Sequence, residues 1–77
     1  MTEKIYEVFA DVFGILPGEV SDEMSYNSFP GWDSLKHLEL VSALEDAYGI
    51  SLEMDDVIML ESVGKAKEII QKYRVSS

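Results

Sequence analysis

Three stretches of this 77-residue chain repeat their apolar residues every three or four positions, and none alternates them every second position. That spacing builds helices with one apolar stripe and leaves no clean signal for a strand. Residues 2 to 13 carry Ile5, Val8, Phe9, Val12 and Phe13 on one face, with Thr2 placed to cap the helix, Glu3 in its first turn and Gly14 to end it. Residues 34 to 48 place Leu35, Leu38, Val41 and Leu44 on one face, widened by Leu40, Ala43 and Ala47, with Glu39, Glu45 and Asp46 opposite and Gly49 as the stop. Residues 63 to 73 carry Val63, Ala66, Ile69, Ile70 and Tyr73. Between the last two, Asp55 to Leu60 predict a short helix with Val57, Ile58 and Leu60 inward.

Residues 15 to 33 predict a long loop, marked by the turn signals Pro17-Gly18 and Pro30-Gly31. Ile15, Leu16, Val20, Met24, Phe29 and Trp32 are expected to tuck inward and pin it. Loops of this length in a compact domain are uncommon and often functional. The expected architecture is all-α: a small four-helix bundle of three main helices and one short helix, with the long loop after helix one, and residues 1–77 forming a single domain.

Cysteine is absent and His37 is the only histidine, so neither disulfides nor a thiolate or histidine-rich metal site can organise the chain. The acids Glu53, Asp55 and Asp56 lack the spacing of a calcium loop, so no metal site is expected. No apolar run approaches the ~20 residues that span a bilayer. The start MTEKIYEVFADVF has neither the basic opening nor the unbroken apolar run of a signal peptide. A cytoplasmic protein that does not insert into membranes is the expectation.

Charge narrows the partners. The net charge is −9, and residues 1 to 64 hold 14 acids against only Lys4 and Lys36, while residues 65 to 77 hold Glu68 against Lys65, Lys67, Lys72 and Arg74. An acidic body repels nucleic-acid phosphate and anionic lipid and speeds encounter with basic protein surfaces.

One hydroxyl stands where the loop becomes the second helix, in GWDSLKHLEL, residues 31 to 40. Ser34 has three readings. Asp33-Ser34 supplies helix-capping residues and needs no further role. A catalytic nucleophile needs a base, an orienting group and an oxyanion hole; His37 lies three residues on, but the Gly-x-Ser-x-Gly elbow is missing, so an enzyme is not expected. A covalent phosphodiester is the third reading, favoured by the free N–H groups and positive dipole of a helix start.

The surrounding residues resemble a known family. Asp33-Ser34-Leu35 resembles the Asp-Ser-Leu signature of acyl carrier proteins. LELVSALEDAYGISL, residues 38 to 52, resembles their second helix, with Glu39, Leu40, Val41, Ala43, Leu44 and Glu45 in register; DDVIMLESV, residues 55 to 63, resembles their short third helix and the start of the fourth. The resemblance covers nearly the whole chain. It implies a four-helix bundle in which Ser34 receives a covalent 4′-phosphopantetheine arm from coenzyme A, through a magnesium-dependent phosphopantetheinyl transferase. The arm's thiol then holds acyl groups as thioesters and passes them between enzymes of fatty acid, polyketide or modified-lipid synthesis. The missing cysteine is thereby supplied from outside. The resemblance also implies transient docking of a monomer to acyl-loading and acyl-processing enzymes with basic patches. The contacts it points to are Asp33, Leu35, Lys36, Glu39, Glu45, Asp46, Asp55 and Asp56. Lys36 stands where housekeeping fatty-acid carriers commonly have an acidic or neutral residue, and Trp32 is more like specialised carriers, so a dedicated carrier is expected. Two rival readings share the acidic bundle: an unmodified docking module, and a carrier for peptide synthesis.

Overall fold

The computed structural model describes residues 4–75. The expected capping role of Thr2 and the place of Glu3 lie outside these residues. The described chain forms four α-helices: α1 (Lys4–Phe13), α2 (Ser34–Tyr48), α3 (Met54–Met59) and α4 (Val63–Val75), with a short 3-10 turn at Pro17–Glu19 inside the long loop. No strand forms among the described residues; Ser25 and Ser62 make one isolated bridge.

Helix α1 buries Ile5, Val8, Phe9 and Ala10 and packs against α2 and α4. It ends where Gly14 turns to a φ of 70° and returns its N–H to the Ala10 carbonyl at 2.8 Å. Helix α4 contributes Val63, Ala66, Ile69 and Ile70 to the same core, as its stripe predicts, with Tyr73 half-buried at the edge.

Helix α2 has the predicted bounds but not the predicted inner face. Leu40 and Leu44 are completely buried, with Ala43 and Ala47 packed against the core. Leu35 and Leu38 face solvent, 69% and 62% exposed. Helical geometry explains it. At about 100° per residue, Leu44 lies about 40° from Leu40, whereas Leu35 and Leu38 lie about 140° and 160° round from it. The helix buries the first set and must therefore present the second. Two further inward expectations fail, Leu16 and Ile58 being 69% and 68% exposed: Ile58 lies about 100° round α3 from the half-buried Val57, and Leu16 precedes the 3-10 turn in the loop.

The long loop is tied down along its length. Val20, Met24 and Trp32 are buried, and Ile15 and Phe29 partly so. Tyr26 N–H bonds the Glu61 carbonyl at 2.8 Å, Val63 N–H the Met24 carbonyl at 3.0 Å and Gly64 N–H the Asp22 carbonyl at 3.1 Å. Those three bonds fasten the loop to the α3–α4 junction and satisfy backbone groups that a free loop would leave to water. Gly64 permits the last of them, since an added Cβ would sit 3.3 Å from the Asp22 carbonyl oxygen.

Candidate functional site

The start of α2 is set by Asp33. Its backbone is extended, and its Oδ1 accepts the Lys36 N–H at 2.9 Å. Asp33 is therefore the cap, and Ser34 is the first helical residue. This frees the Ser34 hydroxyl from capping. Ser34 is exposed, and its Oγ has no hydrogen-bond partner among the described residues. The opening N–H groups of a helix lack intrahelical partners, and Asp33 takes only the one from Lys36.

The residues just before Ser34 are held rigidly. Trp32 is 2% exposed and meets Phe9 edge-on at 5.7 Å and Phe13 at 5.4 Å, while Phe29 meets Phe13 at 5.2 Å. A turn returns the Trp32 N–H to the Phe29 carbonyl at 3.1 Å. Gly31 gives that turn its room, since a Cβ there would lie 3.1 Å from the Phe29 ring.

His37 is neither a solvated residue nor a free base. The Trp32 indole N–H donates to its Nδ1 at 3.0 Å. Its Nε2 lies 2.8 Å from the Val57 carbonyl oxygen, which only accepts, so Nε2 carries the proton. One side chain thus ties the loop, α2 and α3 together. The sequence shows the indole and the imidazole five positions apart, but not the carbonyl that completes the arrangement.

The expected contact residues divide. Asp33, Leu35, Glu39, Asp46 and Asp55 are exposed. Lys36 is half-buried, and its amine reaches the Glu39 carboxylate at 3.2 Å. Glu45 is turned partly inward, where its carboxylate accepts the Leu52 N–H at 2.8 Å and braces the link to α3. Asp56 leaves the surface altogether. It is 5% exposed, with Lys72 Nζ 2.6 Å from one oxygen and the Tyr73 hydroxyl donating to the other at 2.6 Å. The physical reason is its neighbour helix: α4 offers a cation and a hydroxyl together, enough to compensate a carboxylate that leaves water. The Lys72 hydrogen bond, then that of Tyr73, holds the Asp56 carboxyl below the usual carboxylate range. Tyr73 in turn accepts the Glu53 N–H at 2.9 Å, closing the start of α3 onto α4. Asp22 makes a looser counterpart with Tyr6 and Lys67, which lower its carboxyl too, Tyr6 first.

The α2 start, with its unclaimed hydroxyl, lies inside a longer match. Residues 3–70 match the family described as "Phosphopantetheine attachment site". The chain belongs to the acyl carrier protein family. Among the relatives of this carrier, "Acyl carrier protein" of Saccharopolyspora erythraea is 37% identical over 67 residues, covering 87% of this chain and 70% of the relative. "Meromycolate extension acyl carrier protein" of Mycobacterium leprae is 35% identical over 68 residues, 88% of this chain and 59% of the relative; the protein of that name in Mycobacterium tuberculosis gives the same figures. The chain thus spans somewhat over half to about two thirds of these relatives' length. Membership carries the family's function, transport of acyl groups on covalently attached 4′-phosphopantetheine. No helix among the described residues is long and apolar enough to cross a membrane.

Proposed function

We propose that Ser34 is the residue that holds the phosphopantetheine arm, on a chain that forms one carrier domain over residues 1–77 and works as a monomer in the cytoplasm. The observation that carries this reading is the division of labour at the α2 start. Asp33 caps the helix, and the adjacent Ser34 hydroxyl is exposed and unclaimed, inside the span that matches the attachment family. A phosphodiester on that oxygen meets the unsatisfied N–H groups and positive end of a 15-residue helix. The fixed Trp32 and the capped α2 start hold the attachment point still, so reach comes from the arm alone. Once bound, the arm supplies a thiol that holds acyl groups as thioesters.

The chain itself is not a catalyst. Both nitrogens of its only histidine are engaged, by Trp32 and by Val57, so His37 is not available to take a proton from Ser34. The cargo belongs to a dedicated pathway of modified-lipid or polyketide synthesis. Supporting this are Lys36 beside the attachment point and relatives named for meromycolate extension. Its partners are a phosphopantetheinyl transferase and the enzymes that load and process the acyl group.

Intact mass tests the reading. After incubation with coenzyme A, magnesium and a broad-specificity phosphopantetheinyl transferase, the wild type is expected to gain one phosphopantetheine, and folded Ser34→Ala to gain none. A gain on Ser34→Ala as well would contradict it.

A further inference from the structure

Imidazole is the side chain whose ordinary change of charge falls between about pH 5 and pH 8. This chain has one, His37, and the structure fixes where a second proton on it must go. Nε2 already carries a proton toward the Val57 carbonyl at 2.8 Å, so the open position is Nδ1. Nδ1 is also the atom that accepts the Trp32 indole N–H at 3.0 Å. A proton there sets two N–H groups against each other, and that hydrogen bond is lost.

One of the two rings has to move, and their surroundings decide which. Trp32 is 2% exposed and is gripped by the rings of Phe9, Phe13 and Tyr26, at 5.7, 5.4 and 6.2 Å. His37 is half-buried and stands in the wall of a hollow of about 370 Å³, with Tyr26, Asn27, Val57, Leu60 and Glu61 around it. The imidazole is therefore the ring that turns, into the hollow, and its Nε2 leaves the Val57 carbonyl as it goes. Glu61 is the one acid lining that space among the described residues, so a cationic ring that turns in meets a carboxylate. Tyr26, edge-on to the imidazole at 6.0 Å, is the other titratable group there. Of the remaining charged groups near it on α2 and α3, Asp33 accepts the Lys36 N–H, Lys36 pairs with Glu39, Asp55 is exposed, and Asp56 bonds Lys72 and Tyr73 of α4; none lines the hollow.

We propose that His37 is a proton-operated latch: neutral, it joins Trp32 of the loop to Val57 of α3, and protonated, it turns toward Glu61 and releases both. The part it holds is one that needs holding. Helix α3 has six residues, too few to persist without tertiary ties. Asp56 fastens it to α4, and His37 fastens it to α2. Acid undoes the second tie first. The Lys72 and Tyr73 hydrogen bonds hold the Asp56 carboxyl below the usual carboxylate range, so the first tie outlasts it. The product is an α3 hinged on α4 and loose from α2 and the loop. The latch lies three residues from Ser34 in sequence but does not depend on what Ser34 carries.

Nuclear magnetic resonance on the unmodified full chain, titrated from about pH 8 to about pH 5, reads the latch directly. At the alkaline end the imidazole nitrogen shifts are expected to show a neutral ring protonated at Nε2, with the Trp32 Nε1–H exchanging slowly. As Nδ1 gains its proton, that indole N–H is expected to lose at least about tenfold of its protection relative to a free indole at the same pH. Circular dichroism should stay constant over the same range, since the carboxyl pairs fail only nearer to about pH 4. His37→Gln, whose amide takes up no proton here, is expected to show no loss of protection with pH. Glu61→Gln is expected to move the transition to lower pH, because the cationic ring loses its carboxylate. Indole protection that stays constant while Nδ1 gains its proton would overturn the latch, and so would a ring still neutral at about pH 5. An equal loss in His37→Gln, an unmoved midpoint in Glu61→Gln, or helix content falling in step with the indole signal would overturn it too. Should His37→Gln not fold, the wild-type titration alone decides.

Discussion

Tyr73 donates its hydroxyl hydrogen to the Asp56 carboxylate at 2.6 Å across 17 positions of sequence, and with Lys72 it turns an expected surface acid into the bolt between α3 and α4.

An acid limb in the stability profile follows. The Asp56 and Asp22 carboxyls both lie below their ordinary value in the folded protein. A carboxyl depressed by folding contributes stability above its unfolded pKa, about 3.9, and loses it as pH falls through the folded value. Tm is therefore expected to fall on acidification below about pH 4. Asp22→Asn with Asp56→Asn should lower Tm at neutral pH and flatten that fall, measured by circular dichroism. Lys72 and Tyr73 are raised, each chiefly by its bond to Asp56. Their share is whole below about pH 10 and is lost as pH rises above it.

His37 is expected to matter for structure rather than proton transfer. His37→Leu strands the Trp32 indole N–H and the Val57 carbonyl, a cost of about 1–3 kcal/mol. Trp32 is the only tryptophan, so its fluorescence reports the loss directly. A spectrum and unfolding midpoint identical to the wild type would remove the three-way tie.

The face assigned to α2 is tested by a pair of leucines. Leu40→Ala opens a hole beside a fully buried side chain and should cost about 2–5 kcal/mol. Leu38→Ala removes an exposed side chain and should stay within about 0.5 kcal/mol. Denaturant unfolding of both variants distinguishes the structure from the sequence expectation, in which Leu38 faces inward.

Gly49 ends α2 in the left-handed region, at φ 64° and ψ 40°, and returns its N–H to the Glu45 carbonyl. No atom lies within 4 Å of an added Cβ, so the penalty there is conformational rather than steric. Gly49→Ala is expected to destabilise by about 1–2 kcal/mol, and Gly49→Asn by less. Equal midpoints in urea would contradict this.

The pattern of success and failure has a physical basis. Helix bounds were legible because their signals are local: Asp33 and Gly49 bracket α2 by hydrogen bonding and backbone geometry that the sequence states outright. The all-α architecture was legible from the same periodicity. Which face of α2 is buried was not, because its leucines are surplus; Leu35 and Leu38 fit a stripe as well as Leu40 and Leu44 do, and packing chooses. Asp55 and Asp56 are adjacent and identical in type, yet only Asp56 meets Lys72 and Tyr73 from another helix. The role of His37 depends on a backbone carbonyl twenty residues away, which leaves no mark in sequence. Ser34 stood out because the chain places a single hydroxyl between a capping acid and an amphipathic helix.

Residue-level location of the arm tests the central claim most directly. Lys4 and Lys36 bound a tryptic fragment, residues 5–36, that contains Ser21, Ser25, Ser28 and Ser34. Fragmentation of that peptide from the modified protein is expected to place the phosphopantetheine on Ser34 alone. Its appearance on Ser21, Ser25 or Ser28 would contradict the account, since the carrier would then be loaded from the loop and not from the start of α2.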